Sequence, residues 1–598
     1  MTDMTDKPGQ ATEVRERITP SYHPAQVSKT APCQVGCANC GDIKGWIGLV
    51  AQRQRTGVSL EDALAGAWRL ITEVNPFPST LGRICPHPCE SKCNRSELDE
   101  PLAINAMERF LGDFGISQAL PLPRTRSKEA KEWLGVVGAG PSGLSFAYQM
   151  ARRGYRVTVY DAREKAGGML RFGVPDYRLP QDILDAEVQK ILDLGVELQL
   201  HTKVGTDISL EELRSRHAAL YLGIGAQMGR GLPIPGGEGS AIWTGTDYLC
   251  RINTGEAVDT GVMVVVVGGG NTAVDAARCA RRTGAEVTIL YRRSREEMPA
   301  ISHEIEDSLE EGIKLLLLAA PVEIERAADG RLTGVCVQRM SLGPPDSSGR
   351  RRPLPIPGSE FKLDATAVIA AVSQVPVLDG LHSLDHDGDW LVPNPNGADD
   401  TGMLVGGDAV NPGIAGNAII QGRHAAESLH ARLRGIEVES FKDPQCSDIH
   451  AEDIRVASKV VSKAALAPKL PGKERVVAGM AEVTGTITEE EFLAEVERCF
   501  SCGSCSGCQQ CFMYCTSGCF IKLEEPKPGM YFSLNLDQCH ECGKCIEVCP
   551  SGYLEDIRDA IPGISRTSLR RREPQKTRRS ARAVARAATP TSHRQEEP

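Results

Sequence analysis

The spacing of apolar side chains divides the chain into stretches of different period. From Trp133 to about Arg434, short apolar runs alternate with longer segments whose apolar positions recur every three or four residues. This predicts repeated βαβ units, and so an α/β core with parallel strands covered by helices. Residues 31–120 read as helical, Leu60 to Thr72 most clearly, and PLPRTRSKEAKE at 121–132 reads as a linker. GPPDSSGRRRPLPIPG at 343–358 predicts an exposed loop. Residues 1–30 are polar and predict a flexible arm, 437–495 a less regular connector, and 558–598 a disordered, Arg-rich basic tail. The longest apolar stretch, Val262 to Val267 with its glycines, is far shorter than the roughly 20 residues a bilayer requires, so no membrane span is expected.

Composition refines this picture in two respects. The formal charge of −10 over 598 residues argues against general nucleic-acid binding, and leaves the tail's arginines as solvated or partner-docking residues. The opening residues carry no apolar signal segment, so a cytoplasmic protein is expected. In that compartment disulfides are disfavoured, and 21 cysteines call for another explanation. Six lie between Cys33 and Cys93 and eleven between Cys499 and Cys549. Cys250, Cys279, Cys336 and Cys446 are scattered and read as small core residues.

The α/β stretch contains two glycine turns of one kind. In WLGVVGAGPSGLSFAYQMARRGYRVTVYDA, an apolar strand ends at Val137, and Gly138, Gly140 and Gly143 follow at G-x-G-x-x-G spacing. A helix then starts at Pro141 and Ser142, and a second strand leads to Asp161. Such glycines permit a tight turn, backbone approach to a pyrophosphate and close helix packing, while the helix start supplies N–H donors and the acid meets a ribose hydroxyl. VMVVVVGGGNTAVDAARCARRTGAEVTILYRR repeats the pattern with Gly268, Gly270, Asn271, Thr272 and Ala273. Here Arg292 and Arg293 replace the acid, which favours the 2′-phosphate of NADP(H) over NAD(H). No cysteine lies between Asp161 and Gly173, and Cys279 stands alone, so a disulfide reductase is not expected.

The cysteine runs point to iron–sulfur chemistry. Cys539-x2-Cys542-x2-Cys545-x3-Cys549-Pro550 has the bacterial ferredoxin spacing, and Cys505, Cys508, Cys511 and Cys515 repeat it without the proline. Exchange of the fourth ligand predicts one [4Fe–4S] cluster on Cys505, Cys508, Cys511 and Cys549, and another on Cys539, Cys542, Cys545 and Cys515. Cys499, Cys502 and Cys519 leave the register of the first run open, and zinc ribbons also use C-x2-C pairs. The N-terminal group, Cys33, Cys37, Cys40, Cys85, Cys89 and Cys93, is less regular.

Several of these segments resemble known families. GMLVGGDAVNPGIAGNAIIQGRHAAESL, with Gly407, Asp408 and Asn417, resembles the closing FAD motif of flavoproteins with two dinucleotide-binding domains. Gly167, Gly168 and RFGVPDYRLP resemble their second flavin-contacting loop. APCQVGCANCGDIKGWI and GRICPHPCESKCNRSELDEPLAINAMERF resemble the N-terminal Fe–S domain of glutamate synthase small subunits and dihydropyrimidine dehydrogenase. The resemblance implies a helical Fe–S domain at 31–120, an FAD domain at 133–250 and 369–436, an inserted NAD(P) domain at 251–368, and an α+β dicluster ferredoxin domain at 496–557. It also implies a cluster on Cys37, Cys85 and Cys89 with Glu108 as fourth ligand, although Glu108 reads equally well as a solvated helix residue. Relatives carry two further cysteines before the position of Cys33, absent here. That leaves Cys33, Cys40 and Cys93 for a second cluster with an unnamed fourth ligand.

The implied activity is electron transfer between NAD(P)H and a protein partner through FAD and [4Fe–4S] clusters, in a homodimer. Within the family, the ferredoxin run and the Cys33-Cys37-Cys40 pattern look most like the oxidoreductases that serve dissimilatory sulfite reductase in sulfur metabolism. Subunits of glutamate synthase, or of formate or 2-oxoacid oxidoreductases, are the alternatives. From other classes, a redox-sensing module and a zinc-stabilised scaffold remain open.

Overall fold

The computed structural model describes residues 22–556, apart from 127–128, 382–383, 394–401, 438–446 and 457–458. The predicted tail, most of the predicted N-terminal arm and Cys446 therefore lie outside the described residues. Part of that arm is ordered into a strand: β1 (Pro24–Gln26) pairs antiparallel with Leu554–Asp556, which joins the two ends of the described chain.

A helical unit follows. Helices α1 (Ile43–Ala51), α2 (Leu60–Thr72) and α3 (Ile104–Ser117) bury one apolar face each in a shared core around Trp46, Ile47, Leu64, Ile71, Met107 and Leu111. Ser59 starts α2 by accepting the Asp62 N–H at 3.1 Å, the usual capping arrangement. The short helix Pro78–Ile84 crosses α3 with main chains almost touching. A Cβ at Gly82 or Gly112 would fall 2.4 or 2.2 Å from backbone atoms of the opposing segment.

The first parallel sheet begins with β2 (Trp133–Val137). After helix α4 (Pro141–Ala151) it gains β3 (Arg156–Tyr160), β4 (Glu197–Gln199) and β5 (Ala219–Leu222). The chain then leaves to build a second parallel sheet from β6 (Ile242–Thr244), β7 (Met263–Val267), β8 (Glu286–Tyr291) and β9 (Lys314–Leu317). Helices α5 (Asn271–Arg282) and α6 (Ser302–Glu310) belong to this unit. An antiparallel group follows, β10 (Ala319–Arg326), β11 (Leu332–Pro345), β12 (Arg351–Pro355) and β13 (Phe361–Asp364). β14 (Ala367–Ala370) closes the second sheet in the order β9-β8-β7-β14-β6, and β15 (Met403–Val405) returns to the first as β15-β5-β2-β3-β4. The second unit is thus inserted in the first. Val264–Val267 and Ala367–Ala370 are fully buried, the pattern of strands covered on both faces.

Three expectations change. The insertion starts at β6, Ile242, about ten residues before the 251 expected, because Ile242–Thr244 pairs with Val368–Ala370 and is too short to show a period of its own. The loop expected at 343–358 is largely the hairpin of β11 and β12. Its prolines misled, since β12 is an edge strand and tolerates Pro353 and Pro355 there. The expected connector ends in helix α8 (Glu489–Arg498), whose Phe492 and Val496 complete the core of the N-terminal helical unit. The rings of Phe110 and Phe492 stack 4.5 Å apart.

Long helix α7 (Ala415–Arg434) crosses α4, and Gly422 permits the contact, since a Cβ there would meet the Ser142 carbonyl at 2.2 Å. Between the two parallel-sheet units lies a buried ionic layer. Arg178 donates to both carboxylate oxygens of Asp275 on α5 at 2.8 and 2.9 Å and pairs with Glu304 on α6 at 3.2 Å. The Tyr177 ring lies 4.6 Å from the guanidinium of Arg278 and 3.9 Å from that of Arg282.

Candidate functional site

At the carboxyl ends of the first sheet's strands lies a cleft of about 390 Å³. The carboxyl edge of a parallel sheet is the usual place for a ligand. Gly138, Gly140, Pro141, Ser142, Asp161, Gly168, Gly407 and Asp408 all line the cleft. Gly143 does not. It sits one turn into α4, where a Cβ would fall 1.9 Å from the Gly138 carbonyl oxygen, so it sets the helix against the turn. Gly168 has a left-handed backbone (φ 53°) and lies against Gly140, its ideal Cβ only 2.7 Å from the Gly140 Cα.

Asp161 also braces the turn. Its carboxylate accepts the N–H groups of Ala139 at 2.6 Å and Arg163 at 2.8 Å, while burial pushes its pKa up. Burial likewise raises Asp408 to about 6, opposed by the Gly413 N–H at 3.2 Å. Asn417 is in the first turn of α7 beneath Gly413, and its neighbour Ala418 faces the cleft instead. Of the second flavin-loop stretch, Met169 and Phe172 line the cleft, whereas Tyr177 and Arg178 turn into the ionic layer.

Sequence reading missed Arg163, Lys203, Gly223, Thr246 and Leu381, which also line the cleft. Most follow strand ends, which is a signal only once the strand order is known. Cys279 is buried, as expected for a core residue; Cys336 is half-buried, and Cys250 lies on the cleft wall.

The second glycine turn opens helix α5. Gly268 has φ 149°, and a Cβ there would meet the Ala371 carbonyl at 2.2 Å. Gly270 is the residue before the helix, Ala273 is buried under it, and Thr272 packs on Gly245. Asn271 ties the turn down by accepting the Ile301 N–H at 2.9 Å. The two arginines after β8 part company. Arg293 is buried and held at 2.6 Å by Asp346, with its Nε donating to the Arg351 carbonyl, so the expectation that it binds the nucleotide is corrected. Arg292 is exposed.

The thiols gather in four sets. Cys37, Cys85, Cys89 and Glu108 line one chamber with Asn39, Asn75 and Trp46. Burial raises the Glu108 carboxyl to about 7, while the Asn75 amide donates to it at 2.8 Å, so Glu108 is an interior group and not a solvated helix residue. Cys33, Cys93, Cys499 and Cys502 line a second chamber. Cys40 lines neither. It occupies a left-handed turn (φ 50°) just past Cys37. Cys505, Cys508, Cys511 and Cys549 line a third chamber, the fourth thiol coming from the other run. Cys545 lies within electrostatic reach of Cys539, Cys542 and Cys515, and burial pushes its thiol up to about 12. Cys519 is buried beside Cys515 and Cys539.

Among the described residues, no three His, Cys, Asp or Glu side chains converge on one ion position. The thiols instead surround their chambers, as donors to a polynuclear cluster do.

Comparison with known proteins accords with this arrangement. Residues 132–422 match the family model for pyridine nucleotide-disulphide oxidoreductase, and residues 25–120 that for dihydropyrimidine dehydrogenase domain II, 4Fe-4S cluster. The chain is 37% identical over 436 residues to NADP(+)-dependent formate dehydrogenase subunit beta of Moorella thermoacetica, covering 68% of this chain and 60% of that one. It thus spans three fifths of that relative. It is 34% identical over 536 residues to NADPH-Fe(3+) oxidoreductase subunit beta of Geobacter sulfurreducens (81% and 78%). Over 424 residues it is 34% identical to the glutamate synthase [NADPH] small chain of Azospirillum brasilense (67% and 86%). The chain belongs to the glutamate synthase small-chain-like family of iron–sulfur flavoprotein oxidoreductases.

For a member of this family the residues present fit the groups implied. The first glycine turn with the start of α4 can hold the FAD pyrophosphate, and the start of α5 the nicotinamide nucleotide. Thiols and Glu108 are suitable donors for [4Fe–4S] clusters. No helix among the described residues is long and apolar enough to cross a membrane.

Proposed function

We propose that this oxidoreductase exchanges electrons between NADPH and a protein partner, with FAD in the cleft and iron–sulfur clusters in the thiol chambers. The observation that carries the reading is contiguity. Gly416 lines the chamber of Cys37, Cys85, Cys89 and Glu108, and Ala418, two residues on in α7, lines the cleft. Bound there, FAD supplies the exchange between the two electrons of a hydride and the single electrons that clusters carry.

The chain's part is to bind, orient and exclude water. Gly138 and Gly140 let the backbone approach a pyrophosphate, and Asp161 holds that turn in shape. Asp408 places a carboxylate on the cleft wall, its pKa raised by burial and its oxygen accepting the Gly413 N–H. Arg292 is the residue left to meet a 2′-phosphate. At the far end Cys542 is exposed, and the helix Gln510–Tyr514, packed against Lys544–Val548, exposes Met513 and Tyr514, a surface suited to a partner.

Adding NADPH without oxygen is expected to bleach the flavin absorbance; a flavin-replete protein left unbleached would overturn the proposal. For the partner, the resemblance of the ferredoxin run and the Cys33-Cys37-Cys40 pattern favours dissimilatory sulfite reductase, while the relatives named above favour a formate- or glutamate-type complex. Oxygen-free purification from the native host decides between them: a co-eluting sirohaem enzyme supports the first, and a co-eluting formate dehydrogenase or glutamate synthase subunit the second.

A further inference from the structure

We propose that Cys33, Cys93, Cys499 and Cys502 form a single [4Fe–4S] site assembled from the two ends of the chain. Cys33 lies in the short helix Pro32–Gly36 and Cys93 just before Asn94, whereas Cys499 ends α8 and Cys502 follows it. All four line one chamber with Ile43, Ile47, Leu102 and Phe500.

The backbone supports the assignment independently. In the ferredoxin run, Cys539-x2-Cys542 has left-handed residues at Glu541 (φ 53°) and Gly543 (φ 67°), and Cys505-x2-Cys508 has them at Gly507 (φ 66°) and Gln509 (φ 64°). Cys499-x2-Cys502 repeats this at Ser501 (φ 54°) and Gly503 (φ 68°). The Ser501 N–H points to the Cys499 sulfur at 3.4 Å, as the Glu541 N–H does to the Cys539 sulfur at 3.4 Å. A non-glycine residue pays about 1–2 kcal/mol for that conformation, so its recurrence at one place in the loops marks a common cluster-binding turn. By contrast, Cys40 faces neither chamber.

The two halves of the site are clamped together. Arg95, two residues after Cys93, donates to the Arg498 carbonyl at 2.7 Å. Arg498, just before Cys499, pairs with Glu495 at 2.9 Å and Asp99 at 3.1 Å, all four charged side chains being buried. Glu495 in turn accepts the Ala103 N–H at 3.0 Å, and the Asn94 amide reaches the Cys502 sulfur at 3.6 Å.

The chamber also has neighbours on both sides. Ile43 lines it and the chamber of Cys37, Cys85, Cys89 and Glu108. On the other side the Gly503 N–H bonds the Ser551 carbonyl at 2.7 Å, and Ser551 lines the chamber of Cys505. The split site therefore stands between the N-terminal donor set and the ferredoxin sets. It rests on the thiol geometry and does not depend on the identity of the electron donor or acceptor.

The test uses the full chain prepared without oxygen. The Cys499→Ser/Cys502→Ser variant is expected to keep its flavin and to lose about four iron and four sulfide per chain, from about sixteen to about twelve, with one reduced-cluster signal missing by electron paramagnetic resonance. Cys40→Ser keeps its full complement. Should the double variant fail to fold, thiol alkylation of the wild-type protein decides. Cys33, Cys93, Cys499 and Cys502 are expected to be protected in the iron-loaded chain and to become labelled together when iron is chelated. Full iron in the double variant overturns the proposal. So does loss of a cluster in Cys40→Ser, or labelling of Cys499 and Cys502 while Cys33 and Cys93 stay protected. A chain with full iron whose flavin NADPH does not bleach counts against the proposed function and not against this site.

Discussion

Arg178→Leu tests the ionic layer between the two parallel-sheet units. The side chain is buried and serves Asp275 and Glu304 at once. After its removal Glu304 keeps Arg278 and His303, whereas Asp275 keeps the Tyr177 hydroxyl at 3.2 Å in place of its paired cation. Burial alone would raise Glu304, yet Arg178, His303 and Arg278 hold it well below the usual carboxylate range; Asp275 is already raised by burial with Arg178 present. Leaving one charge of a buried pair unpaired costs about 3–5 kcal/mol. Because Glu304 retains a cation, the lower end applies, about 3 kcal/mol, or about a 150-fold change in an opening equilibrium.

A chain of several domains does not unfold in one step, so the assay is hydrogen exchange of the slowest amides in α5 and α6, corrected for intrinsic rates. The variant's deficit is also expected to depend on pH. Without Arg178 the folded-state pKa of Asp275 rises further above its unfolded value of about 3.9, so stability is present in acid and lost as pH climbs through the folded value. Protection should therefore fall least near pH 5 and most near pH 8. Arg178→Leu/Asp275→Leu should recover much of the loss. A change below about threefold, or a deficit equal at both pH values, would refute the reasoning.

Other outcomes follow from the same geometry. Arg292→Ala should raise the KM for NADPH about tenfold, near 1.4 kcal/mol, and leave NADH unaffected. Arg293→Ala should lower thermal stability through loss of Asp346 without changing that ratio; steady-state kinetics with both coenzymes reads the difference. Gly143→Val drives a side chain into the Gly138 carbonyl and should yield protein with little flavin, measured by the ratio of flavin to protein absorbance. Burial, then Arg216 and Arg156, lowers His217 to about 4, so the stability it carries is present above its unfolded value near 6.5 and lost as pH falls toward 4. His217→Gln should flatten the fall in thermal midpoint between pH 7 and pH 5.

The local chemistry was legible in the order of residues. Gly138 to Gly143 and Gly268 to Ala273 are each one turn of chain, and their function depends on neighbours within a helix start. The ferredoxin runs are similar, because one short loop supplies three thiols. The spacing also placed Cys549 with Cys505, Cys508 and Cys511, whose chamber it lines. The α/β alternation appeared because strands such as Val264–Val267 are apolar on both faces, which leaves a mark without reference to their partners.

Tertiary structure alone decided which distant groups meet. Cys33 and Cys499 are more than 460 positions apart, and nothing local shows that Cys502 shares a chamber with Cys33 or that Cys40 lines neither N-terminal chamber. Arg293 reads as a phosphate ligand until β11 and β12 bring Asp346 to it. Ile242–Thr244 reads as part of the first dinucleotide unit until β14 lies alongside. Turns and caps are governed by backbone sterics over a few residues, which sequence records directly. Pairings of charge, thiol and edge strand are set by how α8 and the inserted sheet pack, and burial there chooses among residues of equal local likelihood.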